Sequence, residues 1–225
     1  MKIRIGTRGS KLALWQARAV AAALESLSQE GIQTTERVYK TTGDHILDRP
    51  LADIGGKGLF TKELEVGLLK GEVDVAVHSL KDMPTRLPAN LIIGAVTARG
   101  DARDCLVTRA DERDALHSIG TASLRRQCLA RARWGAVRVQ SIRGNIQTRV
   151  GRLTGPLEQR VDGVVLAMAG LDRLEIPKQH DDLAFLPLDP ENWIPAVGQG
   201  AIAVECRLDD HVVRRVLKGI HHGET

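Results

Sequence analysis

The chain has 225 residues, of which 43% are hydrophobic and 27% charged, and it carries a formal net charge of +4 at pH 7. This length and apolar content indicate a soluble globular protein of one large domain or two ordinary ones. No stretch approaches the roughly 18 to 20 apolar residues of a membrane span, and the N-terminus resembles a strand instead of a signal peptide. We therefore expect a cytoplasmic protein with no membrane partner.

The composition also limits the kinds of ligand that this chain is expected to bind. Cys105, Cys128 and Cys206 are widely spaced and form no CxxC pair, which favours reduced thiols over disulfides or a zinc site. His221 and His222 have no third ligand at metal-binding spacing, so no metal is expected. Aromatic residues make up only 3% of the chain, too few for the stacking platforms of single-strand nucleic-acid binding. We expect a small anionic ligand and no nucleic acid.

The first predicted elements are a strand over residues 2–6 and a helix over residues 11–28. Ser10 is the expected N-cap of this helix. Arg8 and Ser10 flank Gly9 at the helix N-terminus, an arrangement that suits either an anion site or an ordinary capped helix. Three- and four-residue spacing predicts the buried face of the helix, formed by Leu12, Trp15, Ala19, Ala22 and Ala23.

A second strand is predicted over residues 34–41 and a second helix over residues 61–70. The glycine-rich segment Gly55–Phe60 lies between them and contains Lys57. Its glycines allow the backbone to approach a ligand closely while Lys57 supplies charge, although a plain flexible loop has the same composition.

An apolar strand over residues 73–77 leads directly into the segment His78–Pro84. Lys81 and Asp82 are adjacent opposite charges at this strand end, and Pro84 prevents the sheet from continuing. The pair could meet a ligand or form a solvated turn.

Arginine recurs after several predicted strands of the second half, which follow a strand over residues 91–96 and a charged crossing over residues 97–104. These strands cover residues 104–108, 137–141 and 162–169, with helices starting near Gly120 and Arg143. In open α/β sheets ligands bind at the carboxyl ends of strands. We therefore expect one edge to carry Arg125, Arg126, Arg143, Arg149 and Arg173, although each alone could be a surface residue.

The C-terminal part is predicted to rejoin the first sheet through a strand over residues 201–206 and a helix over residues 209–218, after an irregular segment over residues 177–195. The predicted division is a first domain over residues 1–97 plus 197–220 and a second over residues 98–196. Residues 221–225 are expected to begin a third domain.

Seven motifs, read together and in order, resemble the porphobilinogen deaminase family. The resemblance covers the whole chain and implies an α/β fold of two doubly wound domains, like type II periplasmic binding proteins, with a cleft between them. It also implies a transferase that condenses four porphobilinogens head to tail, with loss of ammonia, in porphyrin biosynthesis. Separately, we expect a monomer, although the sequence itself leaves the oligomeric state open. The motifs are Thr7–Gln16, Gly55–Phe60, His78–Asp82, Gly120–Gln127, Arg143–Asn145, Ala169–Leu171 and Pro195–Gly200.

The resemblance also assigns roles to residues. Asp82 matches the catalytic aspartate, which would stabilise a cationic azafulvene and accept hydrogen bonds from pyrrole N–H groups, with Lys81 beside it. Substrate carboxylates would be held by the arginines, Arg8 and those of the second domain. Supporting contacts are expected from Ser10, Lys57, Phe60, Ser79, Ser123 and Gln199.

One departure from the family concerns its covalent dipyrromethane cofactor. The family attaches it through a cysteine of a Gly-Gly-Cys motif in a third domain, and no such motif occurs in these 225 residues. We therefore expect a truncated product or a separate third domain, with no normal turnover by this chain alone. The alternative from another class is a two-lobed carboxylate-binding protein without catalysis.

Overall fold

The structure is a computed structural model that describes residues 1–27, 31–45, 58–111 and 116–225. The described residues form two compact units, the first containing residues 1–27, 31–45, 58–100 and 200–225, and the second containing residues 101–111 and 116–199. The units therefore divide after Gly100 and after Gln199. Residues 221–225, which the sequence analysis assigned to a third domain, belong to the first unit.

The elements follow one another in mixed α/β order. The first part contains β1 (Lys2–Arg8), α1 (Lys11–Ser26), β2 (Gln33–Tyr39), α2 (Thr42–His45), α3 (Lys62–Leu69), β3 (Val75–Ser79) and β4 (Leu91–Val96). The second part contains β5 (Asp104–Arg109), β6 (Ser118–Gly120), α4 (Leu124–Trp134), β7 (Arg138–Gln140), α5 (Ile146–Val150), β8 (Gly163–Ala167), α6 (Met168–Arg173) and β9 (Leu183–Pro187). The chain then returns to the first unit with β10 (Ile202–Arg207) and α7 (His211–Leu217).

The first unit is a five-stranded sheet of order β2-β1-β3-β10-β4. Strand β1 is parallel to both β2 and β3, whereas β10 is antiparallel to β3 and β4. Its core contains Ile3, Ile5, Val75, Val77 and Val204. The predicted return of the C-terminal strand to the first sheet is confirmed.

The buried face of α1 differs from the predicted one. Trp15 remains 39% exposed, and the helix instead buries Ala13, Gln16, Ala17, Val20, Ala21 and Leu24. Both sets have helical spacing, but the second places the large Val20 and Leu24 in the core. Gln16 is tolerated there because its amide is hydrogen-bonded.

The second unit is a five-stranded sheet of order β7-β6-β8-β5-β9. Strand β6 is parallel to β7 and β8, and β5 is antiparallel to β8 and β9. The carboxyl ends of β7, β6 and β8 therefore meet at one edge, and the beginning of β5 lies at the same edge. Asp104, the first residue of β5, pairs there with Ala167, the last residue of β8.

Three local predictions were wrong. The segment over residues 177–195 is not irregular throughout, because it contains β9, which adds an edge strand beside β5. The strand before the Lys81–Asp82 pair continues to Ser79, so His78 lies in the sheet instead of the loop. Arg173 lies in the last turn of α6 and not in a strand-end loop.

Candidate active site

The Lys81–Asp82 pair lies on a single turn of 3₁₀ helix, Leu80–Asp82, directly after β3. The backbone N–H of Leu80 donates to the carbonyl of Ala201 at 3.0 Å, and that of Met83 donates to the carbonyl of Leu80 at 3.1 Å. Both side chains of the pair are exposed. The sheet thus delivers the Asp82 carboxylate to solvent on a short turn whose backbone is hydrogen-bonded at both ends.

Buried polar pairs lie directly behind this turn. His78 Nε2 lies 3.2 Å from Glu205 Oε2, and both side chains are almost fully buried. Gln16 Nε2 of α1 donates to Ser79 Oγ at 3.0 Å. These contacts connect β3 with β10 and α1, so the base of the turn is fixed by side chains from two other elements.

Gln16 and Glu205 were missed by the sequence analysis. The signal for Gln16 is a polar residue within an otherwise apolar helical register, between Ala13 and Val20. The signal for Glu205 is a carboxylate in the middle of a strand whose other buried residues are apolar. A buried polar residue in such a register indicates a specific hydrogen-bond partner.

Arg8 and Phe60 form a second part of the first unit's site. Arg8 ends β1, and its guanidinium carbon lies 4.2 Å from the centroid of the Phe60 ring. Ser10 Oγ caps α1 by accepting from the N–H of Ala13 at 3.2 Å, as predicted. Because β1 and β3 are parallel neighbours, Arg8 and Ser79 end their strands at the same edge. Lys57 lies outside the described residues.

The second unit brings the predicted arginines to one sheet edge. Arg125 and Arg126 lie in the first turn of α4, after β6, with Ser123 as the N-cap. Arg143 and Arg149 follow β7, and Arg149 Nε donates to the carbonyl of Gly144 at 2.9 Å. Arg173 follows β8 in α6. Since β6, β7 and β8 are adjacent and parallel, this edge is strongly basic.

Asp104 lies within that basic edge and binds two of its arginines. Oδ1 accepts from Arg126 Nη2 at 2.6 Å and Oδ2 accepts from Arg125 Nη2 at 2.8 Å. Trp193 Nε1 and Gln199 Nε2 each donate to the same carboxylate at 2.8 Å. Burial alone would raise the pKa of Asp104, but the charge of Arg126 and the hydrogen bonds outweigh it and hold the pKa well below its usual value.

The two adjacent arginines differ in exposure. The Arg126 side chain is 7% exposed and donates Nη1 to the carbonyl of Val165, whereas the Arg125 side chain is 27% exposed. Gln199 has no exposed surface. In this structure Arg126 and Gln199 therefore hold Asp104 inside the unit, and Arg125 is the member of this set that solvent reaches.

Burial affects the pKa of one arginine of this edge, Arg173. Burial lowers the pKa of its guanidinium below the ordinary value, and the nearby charge of Asp172 offsets this only in part. An anionic ligand near this guanidinium would raise that pKa again.

The three cysteines divide into two kinds. Cys105 and Cys206 are buried, and burial raises the pKa of their thiols to about 12 and about 11. Cys128 lies on α4 and is exposed. Since the thiolate is the reactive form, the two buried thiols are poor points for attaching any group.

Two kinds of feature were not found in the described part of the chain. None of its helices combines the length and apolar character needed to cross a membrane. Within the same residues, no group of three or more His, Cys, Asp or Glu side chains is arranged to hold a metal ion.

Comparison with solved structures defines the class of fold. The VFT2 domain of BvgS from Bordetella pertussis aligns with 97% of this chain and 86% of its own, with a TM-score of 0.55 and 15% identity. At this identity the likeness establishes the fold alone. The chain has the type II periplasmic-binding-like fold of two α/β units, as the fold-class prediction stated.

Comparison with known sequences defines the family. Residues 3–215 match the family model described as porphobilinogen deaminase, dipyromethane cofactor binding domain. Porphobilinogen deaminases from Pelobacter propionicus and Syntrophobacter fumaroxidans are 44% and 46% identical over 227 aligned positions, covering 100% and 99% of this chain and 71% of each relative. The chain belongs to the porphobilinogen deaminase family, a family of transferases of porphyrin biosynthesis.

The family's dipyrromethane can be tested against the side chains present. A dipyrromethane built from porphobilinogen carries several carboxylates, and the guanidinium groups along the second unit's edge fit them in charge. The buried thiols of Cys105 and Cys206 do not fit a covalent attachment, and the Gly-Gly-Cys motif is not among the 225 residues. The guanidinium groups therefore fit the carboxylates of the group, whereas the two buried thiols do not fit its covalent attachment.

Proposed function

We propose that this chain binds porphobilinogen and carries the catalytic carboxylate for its head-to-tail condensation to a linear tetrapyrrole. The observation that carries the proposal is the exposed Asp82 carboxylate on a turn fixed by the hydrogen bond from Leu80 to Ala201, the residue directly before β10. Each condensation forms a carbon–carbon bond between the methylene of one porphobilinogen and the unsubstituted ring carbon of another. Ammonia leaves the methylene, and the attacked ring carbon loses its proton.

Asp82 has a defined part in this reaction. Departure of ammonia leaves a positive charge shared between the methylene carbon and the pyrrole nitrogen, and a fixed carboxylate stabilises that charge as it develops. The same oxygens accept a hydrogen bond from the pyrrole N–H. Lys81, the adjacent cation, supplies a positive charge to the substrate carboxylates on the same turn.

The arginines bind the acidic side chains of the substrate. Porphobilinogen carries an acetate and a propionate, so each added ring adds two carboxylates. Guanidinium groups pair with carboxylates through two parallel hydrogen bonds. We assign this role to Arg8 in the first unit and to Arg125, Arg143, Arg149 and Arg173 in the second, with Ser10, Ser123 and Phe60 beside them.

The dipyrromethane of the family would be held through its carboxylates by the same second-unit arginines. When bound, it supplies the covalent end to which the first porphobilinogen is added. The residues of this chain bind and orient the acidic side chains, and Asp82 stabilises the cation and accepts the pyrrole N–H.

A direct test combines binding with product analysis. Calorimetric titration with porphobilinogen should show binding that weakens at least about tenfold in Arg143→Gln. In a protein that carries the anchored dipyrromethane, incubation followed by an ammonia assay and oxidation to uroporphyrin should show product for the wild type and a strongly reduced amount for Asp82→Asn. Binding without any ammonia release by the wild type would favour the non-catalytic carboxylate-binding alternative. Absence of porphobilinogen binding would overturn the proposal.

A further inference from the structure

The carboxylate of Asp104 has no remaining hydrogen-bonding capacity. Each oxygen accepts one guanidinium bond and one neutral bond: Oδ1 from Arg126 and Gln199, and Oδ2 from Arg125 and Trp193. An ionised carboxylate has about four lone-pair positions, and all are used here. The carboxylate plane is therefore fixed by donors from α4 and from the segment between β9 and β10.

This fixed carboxylate sets the direction of the Arg125 guanidinium. Arg125 Nη2 donates to Asp104 Oδ2 at 2.8 Å, and Arg125 Nη1 donates to the carbonyl of Ile194 at 2.5 Å. A guanidinium has five N–H donors in a rigid plane, and two bonds of this kind define that plane. The side chain keeps 27% exposure, so a ligand at the sheet edge can approach the same plane.

Asp104 also controls the charge presented at this edge. Two adjacent guanidiniums would repel each other at close range, and one buried carboxylate bonded to both reduces that repulsion. The three side chains together keep one net positive charge. Because Arg126 is 7% exposed and Arg125 is 27% exposed, that charge is presented through Arg125.

We propose that Asp104 is a positioning residue that orients Arg125 to bind a carboxylate of the pyrrole substrate. This inference rests on the proposed function, since it takes porphobilinogen as the ligand. It assigns to Asp104 a role in affinity that acts through Arg125 and not through contact with the substrate.

The test is a double-mutant cycle on the affinity for porphobilinogen, measured by calorimetry at low temperature, where the variants are folded. Asp104→Asn and Arg125→Gln should each weaken binding by about tenfold, the loss expected for one charge-assisted hydrogen bond. In the double variant the loss should be about the same as in Arg125→Gln alone, because Asp104 acts through Arg125. A purely structural role would lower the melting temperature without this coupling.

Asp162 provides a matched control in the same unit. Its carboxylate accepts from Ser118 N at 2.7 Å, from Ser118 Oγ at 3.0 Å and from Arg109 Nη2 at 3.4 Å. It precedes β8, at the sheet edge opposite to Asp104. Asp162→Asn should also destabilise the unit yet leave the affinity unchanged.

The outcomes separate the two proposals. Wild-type affinity in Asp104→Asn, or losses that multiply in the double variant, would overturn the positioning role while leaving the proposed function intact. If the wild type binds no porphobilinogen, the proposed function fails and this inference fails with it. Should Asp104→Asn not fold, Trp193→Phe removes one of the four donors without removing the charge. The same double-mutant cycle, with Arg125→Gln as the second substitution, then tests whether the loss of affinity acts through Arg125.

Discussion

The Arg8 guanidinium lies over the Phe60 ring, 4.2 Å from its centroid, and the same ring lies close to Gly43. A Cβ atom at Gly43 would overlap the Phe60 ring. The N–H of Gly43 also donates to the carbonyl of Leu59 at 2.8 Å. Gly43 therefore leaves the space that the Phe60 ring occupies, and the ring in turn contacts Arg8.

Replacing Gly43 by Ala should displace the Phe60 ring and with it Arg8. We expect a loss of unfolding free energy of about 1–3 kcal/mol, typical of overpacking, together with weaker porphobilinogen binding. Urea denaturation and calorimetry measure the two effects. In a Phe60→Leu background the same substitution should cost less, because the smaller side chain can move aside; equal costs in both backgrounds would contradict the role of the Gly43–Phe60 contact.

Asp82→Asn should lower the rate of ammonia release by about 10²–10⁴-fold, the usual size of a lost electrostatic or proton-transfer group. The melting temperature should not change, since the side chain is exposed. Asp209→Asn, at another exposed carboxylate of the first unit, is the control and should retain the wild-type rate. Near-normal turnover by Asp82→Asn would refute the assignment.

The stability of the second unit should depend on the ionisation of Asp104. The folded-state pKa lies below the ordinary aspartate value of 3.8, so the stabilisation is fully present above about pH 4 and decreases as the pH falls further. Asp104→Asn should cost about 3–5 kcal/mol near neutral pH, because a buried guanidinium loses its counter-ion. Denaturation curves from about pH 2 to pH 7 should show that the difference in unfolding free energy between wild type and variant becomes smaller at the acid end. A difference that does not change with pH would rule out a link between stability and the ionisation of Asp104.

Glu65 should have the opposite pH dependence. Burial, with a further contribution from the charge of Glu205, raises the pKa of Glu65, so the stabilising protonated form is complete below the ordinary pKa and is lost as the pH rises through the folded value. Glu65→Gln should therefore be more stable than wild type at about pH 8 and no more stable at about pH 4. Thermal denaturation at both values tests this, with Glu158→Gln on the exposed surface of the second unit as the control.

The thiols should react in two groups. Cys128 is exposed and should react with a disulfide reagent in the folded protein, whereas Cys105 and Cys206 should react only after unfolding. Counting modified thiols with and without denaturant measures this. Cys128→Ser should abolish the reaction of the folded protein; a remaining fast thiol would show that one of the buried cysteines is accessible.

The sequence was most informative where the pattern was local. Strand β4 was predicted with its observed bounds, Leu91–Val96, and Ser10 was predicted as the N-cap of α1. Both depend on near neighbours in the chain. Strand β6, by contrast, has only three residues, Ser118–Gly120, and is a strand because β7 and β8 pair with it on either side.

The contacts within the candidate site could not be predicted from local sequence patterns either. Sequence position could place Arg125 and Arg126 at one strand end, but neighbouring residues of a helix point in different directions. Which of them is buried is decided by Asp104, 22 positions before Arg126, and no local pattern indicates that contact. The buried face of α1 was misassigned for a similar reason, since Ser79, 63 positions away, is the partner that lets Gln16 be buried.

The central position of β10 in the first sheet has a consequence for synthesis on the ribosome. All five strands of the second sheet lie between Asp104 and Pro187, so they are synthesised before β10. The first sheet starts with Lys2 but lacks the strand that joins β3 to β4 until Ile202–Arg207 arrives. The first sheet therefore cannot be completed until all the strands of the second have been synthesised, and a chain lacking Ile202–Arg207 would have no strand to join β3 to β4.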